Sequence, residues 1–397
     1  MEAAPVDCEV GETASKILTF TGVAIWYASV INLDMDFFSS SRESNAVPNG
    51  MRVHSPVSEV SHNGGNFTRS SQPGIGNSRD TTNGLAGADE QSFRQNQPRE
   101  STMKPSTLLL ALLAFTTATV SAAILRPVLN FGANPGNKEM WIYVPDQLAP
   151  NPAVIVALHG CLESALKYYL QVEDLPPASD KHGFIVIYPG SQDDFHCWDV
   201  ATEASLTHNQ GSDSLSIVNM VKYTIAKYNA DPSKVFATGS SSGAMMSQIL
   251  AAAYPDVFSA VSAYSGLPYG CLRGSPGSSP FTSDPACSKG EVIKTGAEWD
   301  AEVKSAWPGY NGSYPAVQVW HGTADQVLSP QDLEEEIKQW TTVFGVQLTE
   351  KRDNDPLAGY TRSIYGDGTQ FEAYLAEGVG HVVPTQVQET LRWFGLV

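Results

Sequence analysis

Apolar residues along this chain fall into two kinds of pattern, and the two alternate. Runs rich in apolar, aromatic or β-branched residues occupy Ala153 to Leu158, Phe184 to Tyr188, Val235 to Thr238, Ala260 to Tyr264, Val317 to Trp320 and Phe371 to Leu375. Ala153 to Leu158 and Phe184 to Tyr188, apolar throughout, predict strands buried on both faces of a sheet, and the others predict further strands. Glu139 to Val144 alternates as an earlier strand, and another strand is predicted near Ser363. Between the runs lie segments with helical spacing. Leu215, Val218, Val221 and Ile225 repeat every three or four positions in Asp213 to Tyr228, with Ser212 or Asp213 as predicted N-cap. Leu175 to His182 predicts a short helix, Ala244 to Ala253 is built from helix formers, and Pro330 to Phe344 starts with proline in its first turn. Pro384 to Phe394 predicts a closing helix. The alternation predicts one α/β domain over 123–397, with a mostly parallel sheet and helices on both faces. Gly266 to Lys289, rich in Gly, Ser and Pro and holding two cysteines, reads as a surface loop.

The first 122 residues follow neither pattern. Ile17 to Leu33 is apolar but interrupted by Thr, Tyr, Ser and Asn, too short and mixed for a membrane span. Ser39 to Glu100 is almost wholly polar, Gly and Pro, and residues 1–102 are expected to be a disordered extension. Met103 changes the character. A basic start, an apolar core from Leu108 to Phe115 and small residues at Val120-Ser-Ala122 are the parts of a secretory signal peptide over 103–122. The simplest explanation is that translation starts at Met103 and that the preceding residues belong to an over-extended gene model. The protein is then expected to be secreted and extracellular.

Composition narrows the function by exclusion. With 24 Lys and Arg against 42 Asp and Glu, the net charge is -18, which argues against nucleic acid or an anionic membrane as partner. No group of His, Cys and acids has metal-ligand spacing and no Gly-rich phosphate fingerprint is present, so no metal and no cofactor is expected.

Chemistry enters where the strand Val235 to Thr238 meets the helix Ala244 to Ala253. Gly239-Ser240-Ser241-Ser242-Gly243 fills that junction as a Gly-x-Ser-x-Gly elbow, which presents its central serine at the end of a sheet. A Cβ at Gly239 or Gly243 is expected to collide with the neighbouring strand or helix. Ser241 is the candidate nucleophile. A serine hydroxyl needs a base and the base an orienting carboxylate, and in α/β-hydrolases these follow in the order Ser, Asp, His on loops after strands. Asp325 follows the strand ending at Trp320, and His381 follows the strand ending at Leu375. Alone, Asp325 could cap a helix and His381 could be a surface histidine; together they meet the required order. His321 precedes the acid and is expected at the strand end as a structural hydrogen-bonding group. The oxyanion requires backbone donors, for which the N–H groups of Ser242 and of Cys161, in His159-Gly160-Cys161, are the candidates.

These residues, together with Cys197-Trp198-Asp199-Val200, Gly239 to Met246, His321 to Asp325 and Gly378-Val379-Gly380-His381, make the chain from Leu129 to Val397 similar to fungal acetylxylan esterases of carbohydrate esterase family 1. Feruloyl esterases and polyhydroxybutyrate depolymerases are relatives of that family. The resemblance implies an α/β-hydrolase fold, a small acyl pocket and a plant cell-wall polysaccharide as substrate, with acetate released from acetylated xylan. Feruloyl ester and polyhydroxybutyrate hydrolysis are the alternatives, and a non-catalytic carbohydrate-binding protein on the same fold is the reading from another class. Leu162 and Glu163 depart from the small residues common in relatives after Cys161.

Outside the first hundred residues, which hold Cys8, the cysteines are Cys161, Cys197, Cys271 and Cys287, and four cysteines allow three connectivities. Proximity favours Cys271 with Cys287, which leaves Cys161 with Cys197. Trp198 is the candidate to stack on a sugar ring, unless it is a core tryptophan. Asn311-Gly312-Ser313 is a glycosylation acceptor, as is Asn66-Phe67-Thr68 within the extension. The protein is expected to act as a monomer.

Overall fold

The structure is a computed structural model that describes residues 123–397. The expected extension over 1–102, the leader over 103–122, and with them Cys8 and Asn66, lie outside the described residues. Among the described residues the strands are β1 (Arg126–Pro127), β2 (Glu139–Tyr143), β3 (Val154–Leu158), β4 (Ile185–Gly190) and β5 (Val235–Ser240). They continue as β6 (Ala260–Tyr264), β7 (Ala316–Gly322), β8 (Leu348–Asp353), β9 (Tyr360–Tyr365) and β10 (Phe371–Ala376). All join one sheet in the order β1-β2-β4-β3-β5-β6-β7-β10-β9-β8. The strands from β4 to β10 in that order run parallel, and antiparallel strands close both edges.

The apolar runs are continuous because the sheet is covered twice. Along β3, Val154, Val156 and Leu158 enter one apolar layer with Val218, Val221 and Ile249, while Ile155 and Ala157 enter another with Tyr168, Leu175 and Leu391. A strand with helices on both faces has no side left for polar residues. This is the mostly parallel sheet with helices on both faces that the alternation predicts. β8 was not predicted. Its residues Leu-Thr-Glu-Lys-Arg-Asp are exposed throughout, and charge on an edge strand deters pairing with other chains.

Helices Leu175–His182, Ser212–Tyr228, Ser242–Ala253, Gln331–Phe344 and Val387–Trp393 fall where the spacing places them. Their ends differ in informative ways. Helix Ser212–Tyr228 is entered through Gly211, with no side-chain cap, instead of being capped by Ser212 or Asp213. The Asp213 carboxylate is drawn inward, where it accepts the Asp199 N–H at 2.9 Å and pairs with the buried Lys138 at 3.1 Å. Helix Gly296–Ser305 was missed although Thr295 and Glu298 form a reciprocal capping box, a signal readable in the sequence. Between β6 and that helix, Cys271 is bonded to Cys287; Cys161, after β3, is bonded to Cys197, after β4, so both pairs are the ones that proximity favours.

Helix Gln331–Phe344 packs an acidic face inward. Glu335 is satisfied by the Trp299 indole at 2.9 Å and the Lys338 ammonium at 2.6 Å. Asp332 Oδ2 and Glu336 Oε2 are buried without a partner. A buried carboxyl without compensation keeps its proton. Burial first, and then the charges of Glu335 and Asp325, push Asp332 up to about 8, and burial beside Asp332 holds Glu336 well above the usual range. The sign of the resulting pH dependence follows by linkage. Unfolded, Asp332 loses its proton near 3.8, so its contribution to stability is complete below that pH and is lost as pH rises through about 8. Asp332→Asn is therefore expected to raise the melting temperature increasingly from pH 4 to pH 8, by about 2–4 °C for each kcal/mol recovered. Thermal melts of both proteins across that range check this, and a difference that does not grow with pH would refute it.

Candidate active site

β5 ends at Ser240 and helix Ser242–Ala253 begins two residues later, so Ser241 must take the whole reversal. It does so at φ 55° and ψ -120°, a region non-glycine residues avoid and which persists where the surroundings impose it. They do so here through backbone bonds. The Ser241 N–H donates to the Tyr264 carbonyl at 2.8 Å, and the Ser241 carbonyl accepts from Ala244 and Met245. A Cβ on Gly239 would lie 2.5 Å from the Gly243 backbone, and one on Gly243 would strike the carbonyl oxygens of Leu158 and His159. The Ser241 hydroxyl makes no capping bond to the helix it precedes and faces His381 instead.

Asp325 and His381 are carried by neighbouring parallel strands, β7 and β10. Their loops are zipped together by Thr323 N–H to Ala376 O at 2.9 Å, Ala324 N–H to Val379 O at 2.9 Å and Gly378 N–H to Thr323 Oγ1 at 2.8 Å. The result is one row of hydrogen bonds. His381 Nδ1 lies 2.8 Å from Asp325 Oδ2, and His381 Nε2 lies 2.8 Å from Ser241 Oγ. Burial alone would raise the Asp325 carboxyl, yet hydrogen bonds from His321, His381 and the Leu328 N–H outweigh it and hold the group well below the usual carboxylate range. Its Oδ1 accepts the N–H groups of Val327 and Leu328 at 2.8 and 2.9 Å, so the anion also organises its own turn. His321 is fully buried at the end of β7, within 3.3 Å of both Leu328 O and Asp325 Oδ2, the structural position expected for it.

Across the elbow, the loop after β3 brings Gly160 against Ser241; a Cβ on Gly160 would be 3.4 Å from Ser241 Cβ. The Gly160 N–H is committed to Glu163 Oε2 at 3.0 Å. Among the described residues, the N–H groups of Cys161 and Ser242 have no protein acceptor, which leaves both available to a ligand oxygen. Glu163 was read only as a departure from small residues, whereas here it fixes the loop. His159 fixes it from behind: Nδ1 donates to Gly160 O at 2.7 Å and Nε2 accepts the Ser191 N–H at 3.1 Å, which defines the neutral tautomer. Burial lowers its pKa to about 4, consistent with that state.

The stacking role expected of Trp198 is corrected by its burial. The side chain is 0% exposed and belongs to the core. Its indole N–H donates to His159 O at 2.8 Å and its backbone N–H to Ser242 Oγ at 2.8 Å. Trp198 thus braces the two loops that carry the Cys161 and Ser242 N–H groups and presents no face to a sugar.

Comparison with known proteins agrees with this geometry. Residues 140–352 match the family model described as Esterase PHB depolymerase. Feruloyl esterase B of Talaromyces stipitatus is 56% identical over 288 residues, 72% of this chain and 80% of that relative. Probable acetylxylan esterase A of Aspergillus fumigatus is 44% identical over 279 residues, 70% of this chain and 74% of that relative. Among solved structures, acetyl xylan esterase from Aspergillus awamori aligns with a TM-score of 0.65 at 42% identity, covering 69% of this chain and all of that one. The serine elbow at the edge of a doubly covered parallel sheet, together with similarity over most of the described domain, places this chain in the Esterase PHB depolymerase family, as a carboxylic ester hydrolase.

Proposed function

We propose that the chain is a secreted serine esterase that removes acyl groups from plant cell-wall polysaccharide through an acyl-enzyme. Ser241 Oγ attacks the ester carbonyl while His381 Nε2 takes its proton, and Asp325 holds His381 Nδ1–H and balances the imidazolium. The Cys161 and Ser242 N–H groups receive the oxyanion. His381 then protonates the departing sugar hydroxyl, and water, deprotonated by the same nitrogen, releases the acid and restores Ser241. The single observation that carries this reading is the row from Ser241 through His381 to Asp325, each link 2.8 Å. A carbohydrate-binding protein without catalysis would have no use for a strained serine aligned with a base.

For the acyl group, the motifs alone put acetyl first. The higher identity to feruloyl esterase B, 56% against 44% for the acetylxylan esterase, and two exposed phenyl rings beside the Cys161 loop favour feruloyl. Acetyl release is the second reading, supported by the Aspergillus awamori structure. Export through the leader over 103–122 belongs to the same proposal, as does a glycan on Asn311, whose side chain is exposed in the loop before β7.

Ser241→Ala is expected to abolish both labelling by a fluorophosphonate probe and ester turnover, and Asp325→Asn to lower kcat by about 10⁴ by favouring the wrong His381 tautomer. Wild-type turnover in the Ser241 variant would exclude the mechanism. In side-by-side assays on methyl ferulate, acetylxylan and polyhydroxybutyrate, methyl ferulate is expected to give the highest kcat/KM. A higher value on acetylxylan would reverse the order of the two acyl readings.

A further inference from the structure

Two aromatic rings stand in solvent with no part in the core. Phe195 and Phe281 are 50% and 67% exposed, with ring centroids 4.8 Å apart and planes tilted by 54°. The backbone that holds the first of them is under strain. Asp194, Phe195 and His196 have φ values of 41°, 59° and 61°, three successive non-glycine residues in the left-handed region. Such strain survives where neighbours over-determine it, and it gathers at ligand clamps. Here the neighbours are specific. The Asp194 carboxylate accepts the N–H groups of Ser278 and Ser279 at 2.7 and 2.9 Å and the Thr282 hydroxyl at 2.9 Å, which ties the Phe195 turn to the segment carrying Phe281.

Location gives the pair a partner. The Phe195 carbonyl accepts the Leu162 N–H at 2.8 Å, and Leu162 directly follows Cys161. The Cys161–Cys197 disulfide closes the same turn from its other end. Both rings are therefore tied to the loop that carries the Cys161 N–H, the candidate oxyanion donor. The same Asp194, Ser278 and Thr282 that lock the two turns together line part of a cavity of about 550 Å³, whose wall includes neither ring.

We propose that Phe195 and Phe281 form a platform that receives the flat ring of an aromatic acyl group, and so set the preference for hydroxycinnamoyl over acetyl esters. This rests on the reading of Ser241 as the nucleophile of a cell-wall esterase. The tilt of the pair lets a third ring meet one phenyl face and the other phenyl edge, the arrangements aromatic groups prefer. An acetyl group carries no ring to stack on the pair. Asp194 is a positioning residue: it fixes the angle between the two turns without touching substrate.

The test is kcat and KM of the full chain and its variants on methyl ferulate and on ethyl acetate. Phe281→Ala and Phe195→Ala are each expected to raise KM for methyl ferulate about 5-fold, the scale of one ring contact. The ratio of kcat/KM for methyl ferulate over ethyl acetate should fall accordingly, and Phe281→Tyr should restore it. The exposed Phe281 keeps the test decisive even where Phe195→Ala fails to fold. An unchanged ratio in Phe281→Ala overturns the platform while leaving the esterase reading intact. Wild-type protein that cleaves ethyl acetate but not methyl ferulate overturns the aromatic acyl assignment and the platform with it. Absence of both turnover and fluorophosphonate labelling removes the nucleophile reading on which the platform depends.

Discussion

Helix Ser242–Ala253 starts so close to β3 that Gly243 leaves no space between its α-carbon and the carbonyl oxygens of Leu158 and His159. Much of the site depends on that approach. It puts the loop after β3 against the elbow, so that a Cβ on Gly160 would be 3.4 Å from Ser241 Cβ. It also forces Ser241 into a conformation with positive φ, which turns the hydroxyl out of the helix-capping position and toward His381. A side chain at either glycine would push the two loops apart, and the arrangement would lose its backbone donors before it lost its nucleophile.

Given the approach, rigidity comes from groups that never meet a ligand. Trp198 spans the gap between the two loops with its indole and backbone N–H groups. A neutral His159 bridges Gly160 and Ser191, and Glu163 anchors the Gly160 N–H. The Cys161–Cys197 disulfide adds a covalent link between the same segments. Preorganised donors act on developing charge without rearranging when it appears. Fixing them with buried aromatic and covalent contacts serves that end.

On the other side of Ser241 the design is electrostatic. Asp325 is buried yet ionised because two histidines and two backbone N–H groups share its charge. Asp332 lies near enough to feel that anion and, buried with Oδ2 unpartnered, retains a proton. The same carboxyl chemistry thus takes opposite states a short distance apart, decided by the number of hydrogen-bond donors each group meets.

Much of this was legible in the order of residues. The apolar runs gave the parallel strands because a sheet covered on both faces draws most of its strand side chains from apolar residues. The elbow, and the order Ser241, Asp325, His381, follow from local sequence and strand position. β8 left no apolar signature because it is an exposed edge, and the Asp213 side chain that was expected to cap a helix serves a buried lysine instead. Trp198 is the clearest case of what sequence could not decide. Next to Cys197 it reads equally well as a stacking surface or a core residue, and only the packing of β3, the elbow and the Cys197 turn around it assigns it to the core. Phe195 and Phe281, 86 positions apart in numbering (281 − 195), carry no shared signal at all. Periodicity and motifs report what each segment buries or turns through locally. Which side chains from distant segments meet is a property of how those segments pack, and no local pattern encodes it.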